Sequence, residues 1–160
     1  MNMRLLVMLL AKTCIGLMLI GLNGCTHTTS NLPTSSIQTK YLQQTTTLKQ
    51  GLEIYLKNKS SEIDEQYRPT LLIASQLLKN NKNFILYIEG HTDSTGSLAA
   101  NNKVSTTRAN IVKDFILSEY GVNPNQLIVI GLGPTKPIAS NRTADGRAKN
   151  RRVTVTLKIQ

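Results

Sequence analysis

The chain has no tryptophan, two phenylalanines and five tyrosines among its 160 residues. Nucleic-acid binding by base stacking therefore has little to draw on, and no nucleic-acid partner is expected. Acid is scarce as well: nine aspartates and glutamates stand against nineteen lysines and arginines, a formal net charge of +10. That balance favours polyanions and anionic surfaces as neighbours and says nothing about fold. The two cysteines, Cys14 and Cys25, both precede residue 26, which excludes a disulfide framework for the remainder. Two histidines, His27 and His91, lie far apart without partners at metal-ligand spacing, so no metal and no cofactor is expected. No internal repeat is visible, and Gly131-Leu132-Gly133 lacks the helix and lysine of a phosphate loop. The length allows one domain plus something shorter.

The N-terminus has the layout of an export signal. Residues 1–12 hold two cations, Arg4 and Lys12, and no acid; Thr13 to Leu22 is an apolar run; Leu22-Asn23-Gly24-Cys25 closes the segment. A basic region, a short apolar region and a small residue before the cut are the parts of a secretory signal. A membrane-spanning anchor starting at Leu5 would need Lys12 near mid-bilayer, at about 2.5–3.5 kcal/mol. The apolar run is also shorter than the ~20 residues a span requires. Leu22 to Cys25 resembles the bacterial lipobox, with Asn23 a less common choice at its position. The resemblance implies a signal peptide over 1–24 and acyl chains of the palmitate type on Cys25, a stable anchor at ~0.8 kcal/mol per buried methylene. A cleaved signal with an incidental cysteine is the alternative. Thr26 in place of aspartate after the cysteine implies the outer membrane, with the remaining chain in the periplasm.

Residues 25–50 are rich in Thr, Ser, Asn and Gln, with apolar residues too sparse to set a period. Such a segment cannot offset its ordering entropy by burial, and a flexible polar tether is expected, with Tyr41 and Leu42 as its docking candidates. Residues 51–160 read as a single domain. Leu52, Ile54 and Leu56 alternate with polar positions, as a half-buried strand does. A helix capped by Ser60 or Ser61 follows, broken or restarted at Pro69, with a stripe of Leu71, Leu72, Ala74, Ser75 and Leu78. Phe84 to Ile88 is apolar on both faces, which predicts a central strand covered on both sides. A helix over Leu98–Tyr120 ends at Gly121, a strand spans Gln126–Ile130, and an alternating strand over 153–159 closes the chain. Strands alternating with helices predict an α/β layered sandwich with helices packed on a sheet.

The polar corner of this domain is Glu89-Gly90-His91-Thr92-Asp93-Ser94-Thr95-Gly96 and the helix after it. At 3.6 residues per turn Val104, Ile111, Val112, Phe115 and Ile116 share a face, and Arg108 falls on it. A guanidinium there needs a carboxylate, and Asp93 supplies one. Two readings stand: a buried ion pair that fixes the corner, with desolvation offsetting most of its Coulomb gain, or a ligand site. Opposite charges at the mouth of a cleft suit a zwitterion, Asp93 accepting from an ammonium while Arg108 forks onto a carboxylate. A free α-amino-acid end is therefore the proposed ligand. His91 has no Ser or Cys nucleophile beside it, and no enzymatic activity is expected. The run from Asn141 to Arg152 carries five cations near one acid, as a solvated basic face or a contact for an anionic polymer.

Three separated motifs appear in order: E-G-H-T-D-S-T-G from Glu89, N-x-x-V-S-x-x-R-A-x-x-V from Asn101 to Val112, and N-x-T-x-x-G-R-A-x-N-R-R-V from Asn141 to Val153. On these the chain over 51–160 resembles the OmpA-like peptidoglycan-binding domain. That family includes peptidoglycan-associated lipoproteins and the periplasmic parts of flagellar stator proteins. Val104 stands where leucine is usual, Leu132 where an aromatic is frequent, and the first strand lacks the usual phenylalanine. The resemblance implies an α+β two-layer sandwich, a mixed four-strand sheet with helices on one side. It implies that Asp93 and Arg108 hold the diaminopimelate end of a peptidoglycan stem peptide without catalysis. It further implies that Asn101, Asn150 and Arg151 support the site, with Thr92 nearby. The expected role is an outer-membrane lipoprotein tethered to the wall. The alternative is an anchoring lipoprotein of an envelope-spanning secretion system of type IV, with other envelope proteins as partners.

Overall fold

The computed structural model describes residues 34–56 and 62–160. The export-like segment, Cys25, His27 and the candidate cap residues Ser60 and Ser61 lie outside the described residues. In chain order the elements are α1 (Thr34–Gln50), β1 (Leu52–Ile54), a 3-10 turn (Glu65–Tyr67), α2 (Arg68–Asn80), β2 (Phe84–Gly90), α3 (Leu98–Tyr120), a second 3-10 turn (Pro124–Gln126), β3 (Leu127–Gly131), α4 (Ala144–Asn150) and β4 (Val153–Ile159). The strands form one sheet in the order β1-β4-β2-β3. β2 and β3 are parallel, with α3 as their crossover, whereas β4 runs antiparallel to both β1 and β2. This is the expected mixed four-strand α+β architecture. Among the described residues no helix is long and apolar enough to cross a membrane.

The core lies on one side of the sheet. Leu52, Ile54, Leu86, Ile88, Val153 and Val155 meet Leu71, Ala74 and Leu78 of α2 and Ala109, Val112 and Ile116 of α3. Each large aliphatic side chain fully buried there stabilises by about 1.5–3 kcal/mol relative to exposure. The other face carries Tyr87, Glu89, Thr154, Thr156 and Lys158, with Lys158 Nζ 4.7 Å from the Tyr87 ring centre. The helix layer thus covers β2 on one face only, not on both as its two-sided apolarity predicts. On the other, neighbouring side chains cover Ile85.

Three expectations need correction. Residues 34–50 form a helix instead of an unstructured tether, and Leu48 in its last turn is fully buried, whereas Leu42 is 64% exposed and Tyr41 37%. The end of the helix packs against α2 and β4 with Leu48 in the core, and Gly51, at φ 111°, turns the chain into β1. The hydroxyls of Thr45, Thr46 and Thr47 donate to carbonyls four residues back, so poor helix formers satisfy themselves within the helix. In α2, Ile73 is buried and Leu72 is exposed, and Asp64 caps the 3-10 turn that precedes it. In α3 the buried face is Asn101, Ser105, Ala109, Val112 and Ile116, while Val104 is exposed.

That last shift has a steric cause. A Cβ on Gly90 would overlap the Ser105 carbonyl oxygen, and one on Gly131 would overlap Thr106 Oγ1. The helix backbone therefore rests directly on two strand glycines, and small residues, not the apolar ones, form its inner face at this end. Farther along, Val112 and Ile116 fill the wider gap, and Gly121 ends the helix in the left-handed region at φ 56°.

Candidate functional site

The close approach of α3 to Gly90 sets the corner where β2 ends. Beyond Gly90 the chain is held from both neighbours: His91 N–H donates to the Arg152 carbonyl at 2.9 Å, and Thr92 N–H to the Gly133 carbonyl at 2.9 Å. Asp93 follows on a backbone already fixed. About three turns into α3 from the Ser97 cap, Arg108 reaches back and its Nη1 donates to the His91 carbonyl at 3.2 Å.

Asp93 does not pair with Arg108. Its Oδ2 accepts from Arg151 Nη1 at 2.7 Å, and its Oδ1 accepts from the Thr95 N–H at 2.9 Å. The Asp93 side chain is 10% exposed and that of Arg151 34%. Burial alone would raise the Asp93 carboxyl, but the Arg151 hydrogen bond and the Thr95 contacts outweigh it and hold it below its ordinary value. Among the described residues no carboxylate lies within 4.0 Å of the Arg108 guanidinium. Burial and then repulsion from Arg151 lower its proton affinity, while Asp93 pulls the other way. Of the two readings of the Asp93 and Arg108 pair, a direct structural ion pair is therefore ruled out. A half-buried guanidinium bonded to one carbonyl keeps donors for something else.

The remaining expected residues are supports. Thr92 is buried and its Oγ1 has no partner. Asn101 Nδ2 donates to the Thr95 carbonyl at 3.0 Å, closing the turn beside Asp93. Asn150, fully buried, uses its whole amide: Oδ1 accepts from Ile138 and Ala139 N–H groups, and Nδ2 donates to the Ala139 carbonyl and Asn141 Oδ1. Arg151 carries more than support, being the direct partner of Asp93.

Two further positions belong to the corner. Asn141 Oδ1 also accepts from Ser94 N–H at 3.2 Å, so it joins the 138–142 loop to the Asp93 turn. Its signal in the sequence is the first letter of the third motif. Ser105 Oγ accepts from Gly133 N–H at 3.0 Å and donates to Asn102, tying α3 to the loop after β3. The Asn141–Arg152 run is not one solvated face: Arg147 donates to Asn141, Arg151 to Asp93, and Arg152 to the Lys136 carbonyl, leaving Arg142 and Lys149 outward.

His91 is 2% exposed, and neither ring nitrogen has a partner. Burial, then the Arg152 charge, lower its pKa to about 4, so the ring is neutral near pH 7. Among the described residues no three His, Cys, Asp or Glu side chains gather as metal ligands would.

Comparison with known proteins identifies the family and the fold. The model of the OmpA family matches residues 55–151. Outer membrane protein Omp38 of Acinetobacter baumannii is 38% identical over 69% of the chain, which spans 31% of that relative's length. The peptidoglycan-associated lipoprotein of Burkholderia pseudomallei has a crystal structure with TM-score 0.60 at 28% identity, covering 66% of this chain and 89% of that one. The cell wall anchor of the T6SS from Pseudomonas aeruginosa superposes with TM-score 0.51 at 29% identity, covering 66% and 75%.

Proposed function

Since the chain belongs to the OmpA family, we propose that it binds peptidoglycan without covalent bond formation, and that the ligand is the free amino-acid end of a diaminopimelate stem peptide. The observation that carries this is Arg108: a partly buried guanidinium beside a carboxylate that it does not neutralise, on a backbone held by glycine contacts. The ligand carboxylate forks onto Arg108 and its ammonium approaches Asp93. No step of bond making is assigned, because His91, the one histidine among the described residues, is buried and neutral. With Cys25 acylated and sorted to the outer membrane, the protein would hold that membrane to the wall. The likeness to a peptidoglycan-associated lipoprotein over 89% of its solved chain supports this role.

Purified diaminopimelate-type sacculi test the site by co-sedimentation. Wild-type protein is expected in the pellet, with Asp93→Ala and Arg108→Ala left mostly in solution. Undiminished pelleting of both variants would remove the assignment. Arg108→Lys is expected to bind poorly as well, since an ammonium does not fork onto a carboxylate.

A second reading keeps the same site but places the protein in a secretion apparatus as its wall anchor. The likeness to the T6SS cell wall anchor supports it, and the type IV machine named from the sequence as the alternative is another apparatus of this kind. Co-purification with a multiprotein assembly would support this reading, and a deletion that disturbs envelope integrity alone would count against it.

A further inference from the structure

The corner holds two cations and one anion. Asp93 is occupied on both oxygens, by Arg151 and by the Thr95 N–H. Arg108 feels the repulsion of Arg151 more than the attraction of Asp93. A simple zwitterion adds no net charge, so it leaves one cation uncompensated in a partly desolvated site. It also brings an ammonium to a carboxylate that Arg151 already holds.

A ligand with one ammonium and two carboxylates resolves both conflicts. One carboxylate takes Arg108, the ammonium takes Asp93, and the second carboxylate takes the guanidinium that the ammonium displaces. Arg151 is placed for such a move. Its side chain is 34% exposed, and the residue sits at the end of α4 with φ −80° and ψ 76°, outside the helical region. Its guanidinium turns by side-chain rotation alone, while its N–H stays on the Arg147 carbonyl.

Resting on the stem-peptide reading above, we propose that Arg151 is a specificity residue. It holds Asp93 in the free protein and passes to a second ligand carboxylate when the ammonium binds. The site thereby selects stem peptides whose carboxyls near the zwitterionic end are free acids over those in which they are amidated.

Two synthetic probes test this by calorimetric titration into the purified full-length protein in detergent. One is N-acetyl-L-alanyl-γ-D-glutamyl-meso-diaminopimelate with all carboxyls free. The other is the same tripeptide with the glutamyl α-carboxyl and the diaminopimelate carboxyl outside the zwitterionic end both amidated. The wild type is expected to prefer the free acid about tenfold, the worth of one charge-assisted hydrogen bond. In Arg151→Gln the preference falls to within about twofold, and in Arg151→Lys to about threefold, because an ammonium cannot fork. Lys149→Gln, which removes an outward cation nearby, leaves the tenfold ratio in place and so separates Arg151 from the general positive field. Equal binding of the two probes by the wild type overturns this inference while the stem-peptide reading stands. An unchanged ratio in Arg151→Lys, or in a folded Arg151→Gln, overturns it in the same way. Failure of the wild type to bind either probe overturns the stem-peptide reading itself.

Discussion

Helix α3 carries two charged clusters, one at mid-length and one near its C-terminus, and they differ in sign and in setting. Near its C-terminus, Glu119 joins Glu62, Asp64, Glu65 and Arg68 around a cleft of about 460 Å³ that Tyr55, Ile63 and Phe115 complete. Eleven residues earlier, roughly 16 Å along the axis, Arg108 joins Asp93 and Arg151. In the acidic cleft the ion pairs of Arg68 are with Glu65, 84% exposed, and Glu119, 50% exposed. Exposed pairs of that kind are screened and contribute about 0–1 kcal/mol. In the corner, Asp93 is 10% exposed and takes its bonds from a backbone N–H and from Arg151. Charge is plentiful in both places. In the corner the carboxylate is largely removed from water and aimed by a fixed backbone, and that is what gives a charged ligand group something to gain.

The contrast breaks first at the contact that sets the corner. Gly90→Ala places a methyl group on the Ser105 carbonyl and is expected to destabilise by about 3 kcal/mol or more. Urea unfolding measures this, and a loss below about 0.5 kcal/mol would mean that α3 is not held by that approach.

Burial should also show in the pH dependence. His91 has its pKa lowered to about 4 in the fold, against an ordinary value near 6.5. Between these values the unfolded chain binds a proton that the native state refuses, so stability rises with pH across that window and levels off outside it. Unfolding series at pH 4 to 7 are expected to show a rise of about 3 kcal/mol. The rise should be absent from His91→Leu, and its persistence there would detach it from the buried ring.

The functional contrast is between Arg108→Ala and Glu119→Gln. The first is expected to weaken sacculus binding about 30-fold, as loss of one member of a partly buried charged contact does. The second should change it by less than twofold. Equal losses would mean that both clusters of α3 meet the wall. A smaller effect separates Asn141→Ala from Glu65→Gln. The former strips an acceptor from Ser94 N–H and Asn150 Nδ2, about 1–2 kcal/mol of stability. The latter loses an exposed pair, below about 0.5 kcal/mol. Thermal melts of the two variants read the difference.

Much of the sheet is legible in advance because strand periodicity is local. Val153, Val155 and Leu157 alternate with polar residues and do face the core. Gly121 stops α3 where its missing Cβ permits a positive φ. The local pattern misleads where a distant contact outweighs it. Leu48 docks α1 although nothing in a Thr- and Gln-rich segment announces it. Val104 reads as buried because it is apolar, yet Ser105 takes that place because only a small residue lets the helix reach Gly90.

The chain by itself determined which charges gather: Asp93 at the end of a strand, Arg108 on the next helix, Arg151 ahead of the last strand. The first two follow from short-range rules of turns, caps and periods, and the third from the family resemblance alone. Which carboxylate meets which guanidinium was decided only in three dimensions. Arg151 lies 58 residues from Asp93, and its reach is set by the antiparallel register of β4 on β2 and by the Asn141 and Asn150 bonds that fold the preceding loop over the corner. Ion pairing depends on a few ångströms of separation and on how far water is excluded. Both are properties of the assembled sheet and helices and of no single segment.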